Sequence, residues 1–432
     1  MFRSDRAHSE NWFARLEAVE CPSFPARREA RQEIAASPSF PVILERGDGW
    51  TVFDVDGKAY VDLVAGFGAL TFGHSPRDLI ERYTAQFQVL PMGLGDVYAS
   101  RAKVELCESL ASLYPKPRAR VLLGQSGADA VTAAIKTGAL SVGPRIAAFT
   151  GAYHGLSHGP LAACGFAPAF REPFGSQLGS FVTFFPTPRS EADLGPLFES
   201  LQRWSSDSAE GPGSVLFEPV LGRGGVVEAP RSFYSMLGAF RLRTGAMLLA
   251  DEVWTGMGRS GEISLCIANG LTPDVIAFGK GLGGGAPISA IVGSEEAMAP
   301  WGQHGGSIIH TSTHAGTPAA CAMAKACIDK LTPVFLSEVR ERGERCAELL
   351  GPLRSHPKVN GIRSRAMMFG IELRSKESAL RAMNHLLGAG YMVLTGGADG
   401  RTLTLTPPLT LPADVFGGFV TTLVRVLDED RG

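Results

Sequence analysis

Cysteine is sparse and unpatterned in this 432-residue chain: seven residues, at positions 21, 107, 164, 266, 321, 327 and 346, with no CxxC pair. An odd count without paired spacing argues against a disulfide framework and against a structural zinc site. It points instead to a reducing, cytoplasmic compartment. A charge excess is missing too. Lys and Arg total 41 against 43 Asp and Glu, a formal net charge of −2, which supplies no whole-chain field for nucleic acid or an anionic membrane. No uncharged apolar run approaches the roughly 18 residues of a membrane span. The N-terminal stretch MFRSDRAHSENWFARLEAVE mixes charges and has no apolar stretch of signal-peptide length. Lysine is the scarcest charge, at nine residues, and Lys280 is the only one between Lys136 and Lys325.

What is present is a regular alternation. The first forty residues read as a charged helical lead-in interrupted by Pro22, Pro25, Pro38 and Pro41, and Asp56-Gly57 between two apolar runs reads as a hairpin. Helix-period segments at 76–88, 100–113, 127–142, 192–204, 231–243 and 318–331 then alternate with short apolar strands at 120–123, 145–149, 214–218, 247–251, 274–278 and 289–292. Continuous apolar strands separated by helices predict an α/β fold with a mainly parallel sheet and helices on both faces. Beyond residue 333 the texture becomes that of a smaller α+β domain. Its expected helices are 336–351, 376–388 and 412–427, and its expected strands lie near 367–373, 391–394 and 402–405. The expected organisation is a segment 1–75 that joins the small domain, a large α/β domain 76–332, and the C-terminal part 333–432.

Lys280 follows the strand Asp274-Val-Ile-Ala-Phe-Gly and precedes Gly281-Leu-Gly-Gly-Gly285. An amine there can meet a ligand at close backbone approach and attack a carbonyl. Alone, it is more simply a surface lysine on a turn. The strand that ends at Asp251 places a carboxylate at the crevice of a parallel sheet, where it can pair with a protonated ring nitrogen; alone, it is an ordinary strand-end acid. Gly124-Gln-Ser-Gly-Ala-Asp129 opens a helix whose free N–H groups attract phosphate, or is simply a Ser cap. No GK[ST] follows at the spacing of a Walker A loop. Tyr153 and His154 after the next strand offer a ring for a flat ligand, or a half-buried Tyr beside a solvated His.

In this order the pieces resemble the class III (ω-type) aminotransferases of the pyridoxal-phosphate fold type I superfamily. The matching stretches are Gly49–Gly73 with His74, Gln125–Gly138, Tyr153–Gly155, Glu218–Gly225, Leu249–Gly261, Pro273–Gly293 and Thr311–Ala326. LLADEVWTGMGRSG and PDVIAFGKGLGGGAPISAIVG are the most specific. The resemblance implies a fold type I architecture and pyridoxal 5'-phosphate as cofactor. It implies an internal aldimine on Lys280, which also shuttles the proton, and Asp251 on the pyridine nitrogen. Val253 and Tyr153 would take the two ring faces, with His154 beside them, and Ser126, Gly127 and Ala128 the phosphate. Glu218 would stand near the cofactor's hydroxyl side and Thr313 would reach the phosphate of the neighbouring subunit. A homodimer with shared sites follows, as does a substrate side lined by Phe67 and, from one subunit or the other, Asp96-Val-Tyr98.

Three positions depart from the family pattern. Members that handle glutamate often carry an arginine three residues before Pro407-Pro408-Leu409; here that position is Thr404, and Arg401 would face the other side of a regular strand. Arg223 stands five residues after Glu218, where ornithine- and GABA-type members often have a second glutamate. It either takes over anion binding or points to solvent. Trp254 replaces a Gln that contacts the cofactor's phenolic oxygen, and Thr317 replaces a common Asn. The leading expectation is an aminotransferase acting between an amino donor and a keto or aldehyde acceptor; the absent arginine argues against an ordinary glutamate or ornithine enzyme and fits a non-standard substrate, an amine, a β- or ω-amino acid, or an intermediate held on a carrier. The second is a racemase, epimerase or aminomutase of the same fold, and a cofactor-binding dimer without activity ranks below both. No metal is expected.

Overall fold

A computed structural model describes residues 6–37, 41–207 and 209–430, so the expected break at Pro38 lies outside the described residues. The chain divides into two units, one of residues 77–337 and one combining the N-terminal part to 76 with 338 onward.

The first unit is the α/β layer that the alternation predicts. Its seven strands are β1 (Arg120–Gly124), β2 (Ile146–Phe149), β3 (Val182–Phe185), β4 (Ser214–Phe217), β5 (Met247–Asp251), β6 (Val275–Phe278) and β7 (Ser289–Gly293). They form one sheet in the order β1-β7-β6-β5-β4-β2-β3. Only β7 runs against its neighbours: its pairings with β6 and β1 are antiparallel, whereas β6–β5, β5–β4, β4–β2 and β2–β3 are parallel. The carboxyl ends of β1, β2, β4, β5 and β6 therefore all open on one edge, where α/β sheets bind ligands. β3 is the strand absent from the sequence reading. Its burial alternates imperfectly and its neighbours are turn-rich, so no clean period marks it.

The longer helices lying wholly in this unit are α1 (Arg77–Val89), α2 (Arg101–Ser112), α3 (Gly127–Val142), α4 (Leu194–Ser206), α5 (Ser232–Thr244) and α6 (Pro318–Lys330). α3 carries the core contact. Ala130, Val131, Ala133, Ala134 and Ile135 are buried against Leu216, Leu249, Val275 and Ile291 of the sheet. Small side chains let the helix axis approach the strands closely, and Gly138 sits where any Cβ would collide with Ser214 on β4. Ser126 caps the helix, its Oγ accepting from Asp129 N at 3.2 Å, an arrangement worth about 1 kcal/mol.

The second unit contains two four-stranded sheets. One joins Leu44–Asp48, Thr51–Asp54 and Ala59–Asp62 to Tyr391–Met392, and includes the hairpin around Asp56-Gly57. The other orders Val359–Arg365, Met368–Leu373, Thr402–Leu405 and Leu394–Gly396, all antiparallel, beside helices Lys376–Gly388 and Ala413–Glu429. The strand 359–365 was not expected: it is polar and mostly half-buried, as an edge strand can be. At the N-terminus two helices, Ala7–Glu17 and Ser23–Ala35, replace one interrupted lead-in. Pro22 is the N-cap of the second and Pro25 lies in its first turn, where a missing N–H costs nothing, so these prolines begin a helix rather than break one. Among the described residues no helix is long and apolar enough to cross a membrane.

The tight α3–sheet contact yields a stability test. Gly138→Ala should overpack this layer and cost about 1–3 kcal/mol, read as a drop of several degrees in the thermal midpoint. Gly245→Ala, at a helix end with open space around the added carbon but φ of +75°, should cost less than Gly138→Ala.

Candidate active site

Five strand ends of the first unit deliver the sequence-predicted residues to the same edge. β5 ends in Asp251, 5% exposed, whose Oδ2 accepts from His154 Nδ1 at 2.7 Å and whose Oδ1 accepts from Val253 N at 3.1 Å. His154, which follows β2, is 2% exposed; it is a buried partner of the acid and not a solvated side chain. Burial disfavours charge on this imidazole, but the Asp251 hydrogen bond and the charges of Asp251 and Glu218 outweigh it and raise its pKa. Its Nε2 is buried without a protein partner. Glu218, after β4, accepts from Tyr153 N at 2.5 Å and from Gly222 N at 3.0 Å. Burial, with Asp251 adding to it, pushes the Glu218 carboxyl up to about 7 despite these donors and His154.

Lys280 follows β6 in left-handed backbone, φ 41°. A non-glycine residue there costs of the order of 1–3 kcal/mol, and such strain persists only where surrounding structure imposes it. Its Nζ lies 5.4 Å from the centroid of the Trp254 ring. Burial lowers its ammonium to about 8; Asp251 and Glu218 oppose the shift, while Arg259 and Arg223 add to it. The amine is thus neutral more often near neutral pH than an ordinary lysine is, as suits a nucleophile or proton acceptor.

β1 leads into Ser126 and α3. Asp129 N is taken by Ser126 Oγ and Ala130 N by Ser126 O, whereas Gly127 N and Ala128 N have no protein partner among the described residues. Two unpaired amides at the start of a 16-residue helix, beside the exposed Ser126 hydroxyl, form an anion seat. Asp129 is held away from that seat: its carboxylate accepts from Gln125 N at 2.9 Å and pairs with His310 Nε2 at 3.2 Å, which lowers its pKa. Val253 packs on the backbone of Gly127, where an added Cβ would come within 2.6 Å of it, and lies against Gly279.

Other predicted residues are placed differently. Thr313 is exposed and lines a small depression with Met92, Gly93, Gly95 and Gly316. Phe67 belongs to the other unit. It is 69% exposed with φ 60°, so it is not a core-packing side chain, the simpler reading of an apolar residue in Gly66-Phe-Gly-Ala-Leu. Arg401 ion-pairs with Glu372 at 2.8 Å and with Asp399 at 2.6 Å, and Thr404 Oγ1 is buried without a partner. Arg223 does not point to solvent. It is half-buried, its guanidinium carbon 4.5 Å from the centroid of Tyr153. Trp254, 8% exposed, is pressed flat against Gly222, which leaves no room there for a side chain.

Sequence reasoning passed over two features. Glu252, 1% exposed, accepts from Thr255 Oγ1 (3.0 Å), Leu265 N (2.7 Å), Cys266 N (3.1 Å) and Ser264 Oγ, and so ties down the loop 255–266. Arg259 in that loop is 2% exposed, and burial lowers its guanidinium to about 9. The adjacency of two acids in ADE was the only available signal for the first; a Gly-rich GMGRSG gave none for the second.

The raised carboxyl of Glu218 gives a signed pH effect. Between about 4.5 and about 7 the folded protein holds a proton that the unfolded chain releases, so stability falls as pH rises across that window. Glu218→Gln should remove this slope. Thermal midpoints measured against pH should show variant minus parent rising from pH 4.5 to 7 and level above; parallel curves would contradict the placement.

Known proteins resemble this chain over most of its length. Residues 34–427 match the family described as aminotransferase class-III. The acetylornithine aminotransferase of Corynebacterium efficiens is 33% identical over 398 residues, 90% of this chain and 93% of that protein. The [LysW]-aminoadipate semialdehyde transaminase of Deinococcus radiodurans is 30% identical over 394 residues, 90% and 86% of the two chains. Among solved structures, an (S)-enantioselective ω-transaminase from Thermomicrobium roseum superposes with TM-score 0.83 at 26% identity, covering 93% of this chain and 98% of the other. An amine transaminase from an uncultivated Pseudomonas species in its PLP-bound form gives TM-score 0.81 at 26% identity, covering 90% and 94%.

Proposed function

Because the chain belongs to the class III aminotransferases, pyridoxal-phosphate enzymes that move an amino group between a donor and a keto or aldehyde acceptor, we propose that Lys280 is the amine that carries this reaction and that the residues around it hold the cofactor. The observation that carries the reading is a partly neutral lysine amine on the same sheet edge as a buried, histidine-paired aspartate and an anion seat. Each polar end of the cofactor then has a complement: Gly127 N, Ala128 N and Ser126 for the phosphate, Asp251 for the pyridinium nitrogen, and Lys280 for the carbonyl carbon. When bound, the cofactor supplies the electron sink for carbanion chemistry. Asp251 would pair with the protonated ring nitrogen, and His154 keeps Asp251 oriented. Val253, fixed against Gly127 and Gly279, and Tyr153 are the side chains assigned to the two ring faces. Lys280 Nζ holds and returns the proton that moves between substrate carbon and cofactor. Glu218, anchored by the amides of Tyr153 and Gly222, sets the charge balance around Asp251.

The racemase or aminomutase alternative is not favoured, since the curated relatives carry transaminase names over nine-tenths of this chain. The two relatives named above are described by substrates that carry carboxylates, one of them on a carrier protein; a carboxylate-bearing donor or acceptor suits this chain, and a carrier-bound one remains part of the proposal.

The working form is a homodimer. Phe87, Val89, Leu94, Val97 and Tyr98 are all exposed, and Ile308 and Ile309 are exposed near Thr313 in sequence. Met92, Gly93 and Gly95 adjoin Thr313, so one apolar face joins both segments. A second copy seated on this face would place Thr313 for the role expected of it, and Phe67, exposed in strained backbone, is the proposed substrate-contacting ring.

Two measurements test this reading. Stepwise addition of amino donors should convert the cofactor absorbance of the purified protein to that of the aminated form with at least one donor. Lys280→Ala should abolish turnover, and borohydride capture of pyridoxal phosphate on the parent apoprotein should rise with pH around a midpoint near 8. A cofactor that retains its spectrum with every donor, yet promotes deuterium exchange at Cα, would return the racemase alternative. Light scattering should give a dimer, and the pair Leu94→Glu with Val97→Glu should yield a folded monomer that loses cofactor; a monomeric parent sinks the shared-site reading.

A further inference from the structure

The short hairpin after Glu218 pairs Val220 with Glu228 and Leu221 with Val227 and carries Arg223 at its tip. The tip is rigid. Gly222 N donates to Glu218, Val226 N reaches back to Gly222 O at 3.3 Å, and Gly224 packs against Leu221 and the carbonyl of Gly151. Arg223 is therefore held in place and does not wave in solvent. Its guanidinium lies 4.5 Å from Tyr153, 5.1 Å from Phe166 and 5.4 Å from Phe170, three rings that themselves pack together. No carboxylate within the ion-pair range partners it among the described residues, and its charge bears on the Lys280 amine.

An aromatic cage holds a guanidinium by its faces and leaves the N–H groups, which lie in its plane, for another partner. A planar fork of donors matches a carboxylate in two parallel bonds. The arginine of the second unit, Arg401, is already occupied by two acids. We propose that Arg223 is the specificity-determining residue that binds the substrate carboxylate. The substrates are then amino acids and their keto or semialdehyde acids, held with the carboxylate at Arg223 and the reacting carbon at Lys280, in preference to amines that lack an acid group. This rests on the aminotransferase reading above and names its substrate class.

The test compares matched donors on the cofactor-loaded enzyme: alanine against isopropylamine, and 4-aminobutyrate against butylamine. The parent should favour the acid in at least one pair. In Arg223→Gln the acid-to-amine ratio of kcat/KM should fall about 10- to 100-fold, the range expected for a charge-assisted bidentate contact, chiefly through KM. Arg223→Lys should fall between the two and show that the fold survives. Calorimetry with glutarate gives a readout independent of turnover, and its Kd should weaken by a similar factor in Arg223→Gln. A parent that takes amines as well as acids overturns the proposal, as does a loss shared equally by both members of a pair, or glutarate binding unchanged in the variant. If glutarate binding depends on Arg223 while no donor reacts, the anion site stands and the aminotransferase reading fails instead.

Discussion

The hydrogen bond from His154 to Asp251 is the constraint around which the first unit is arranged. A carboxylate at 5% exposure is costly to keep charged unless a donor and a compensating cation stand beside it. Here the donor comes from the loop after β2 and the acid from the end of β5, so two strand ends must keep their spacing for the hydrogen bond to form. Lys280 supplies the opposing charge from β6 and yields part of it to burial. Glu218 would add a second negative charge to the same volume, and its raised carboxyl is how the cluster avoids that. Glu218 therefore adds less negative charge to the cluster than a fully ionised carboxylate would.

That arrangement depends on the sheet. Parallel strands bring their carboxyl ends to one edge without any residue-specific instruction, and the antiparallel β7 lets β1 join them with the same polarity. The anion seat at α3, the acid on β5 and the amine after β6 are far apart in sequence, at 126–128, 251 and 280, and neighbours only by this topology.

Six of the seven strands were legible because most of them are fully buried and the helices between them are periodic, so apolar runs and helical periods show directly in the residues. The strands at 182–185 and 359–365 were not, since each is partly exposed and carries a diluted pattern. Lys280, the amine proposed to react, stood out through the scarcity of lysine and the glycines behind it. The surroundings of Arg223 did not. Phe166 and Phe170 lie in a loop with no period, and their meeting with Tyr153 is a tertiary event that no spacing announces. Nor could spacing foretell that Gly222 would serve as the flat support for Trp254, since the requirement is imposed by a ring thirty-two positions away.

The neighbouring acids Asp251 and Glu252 point to opposite sides of an extended chain, one to His154 and the other to the loop 255–266. Chemistry and architecture are therefore separated by a single peptide unit. Inserting or deleting one residue within β5 would exchange the two sides at once. The register of this buried strand therefore sets the site and the loop together, and a change of one residue in its length would disturb both at a stroke.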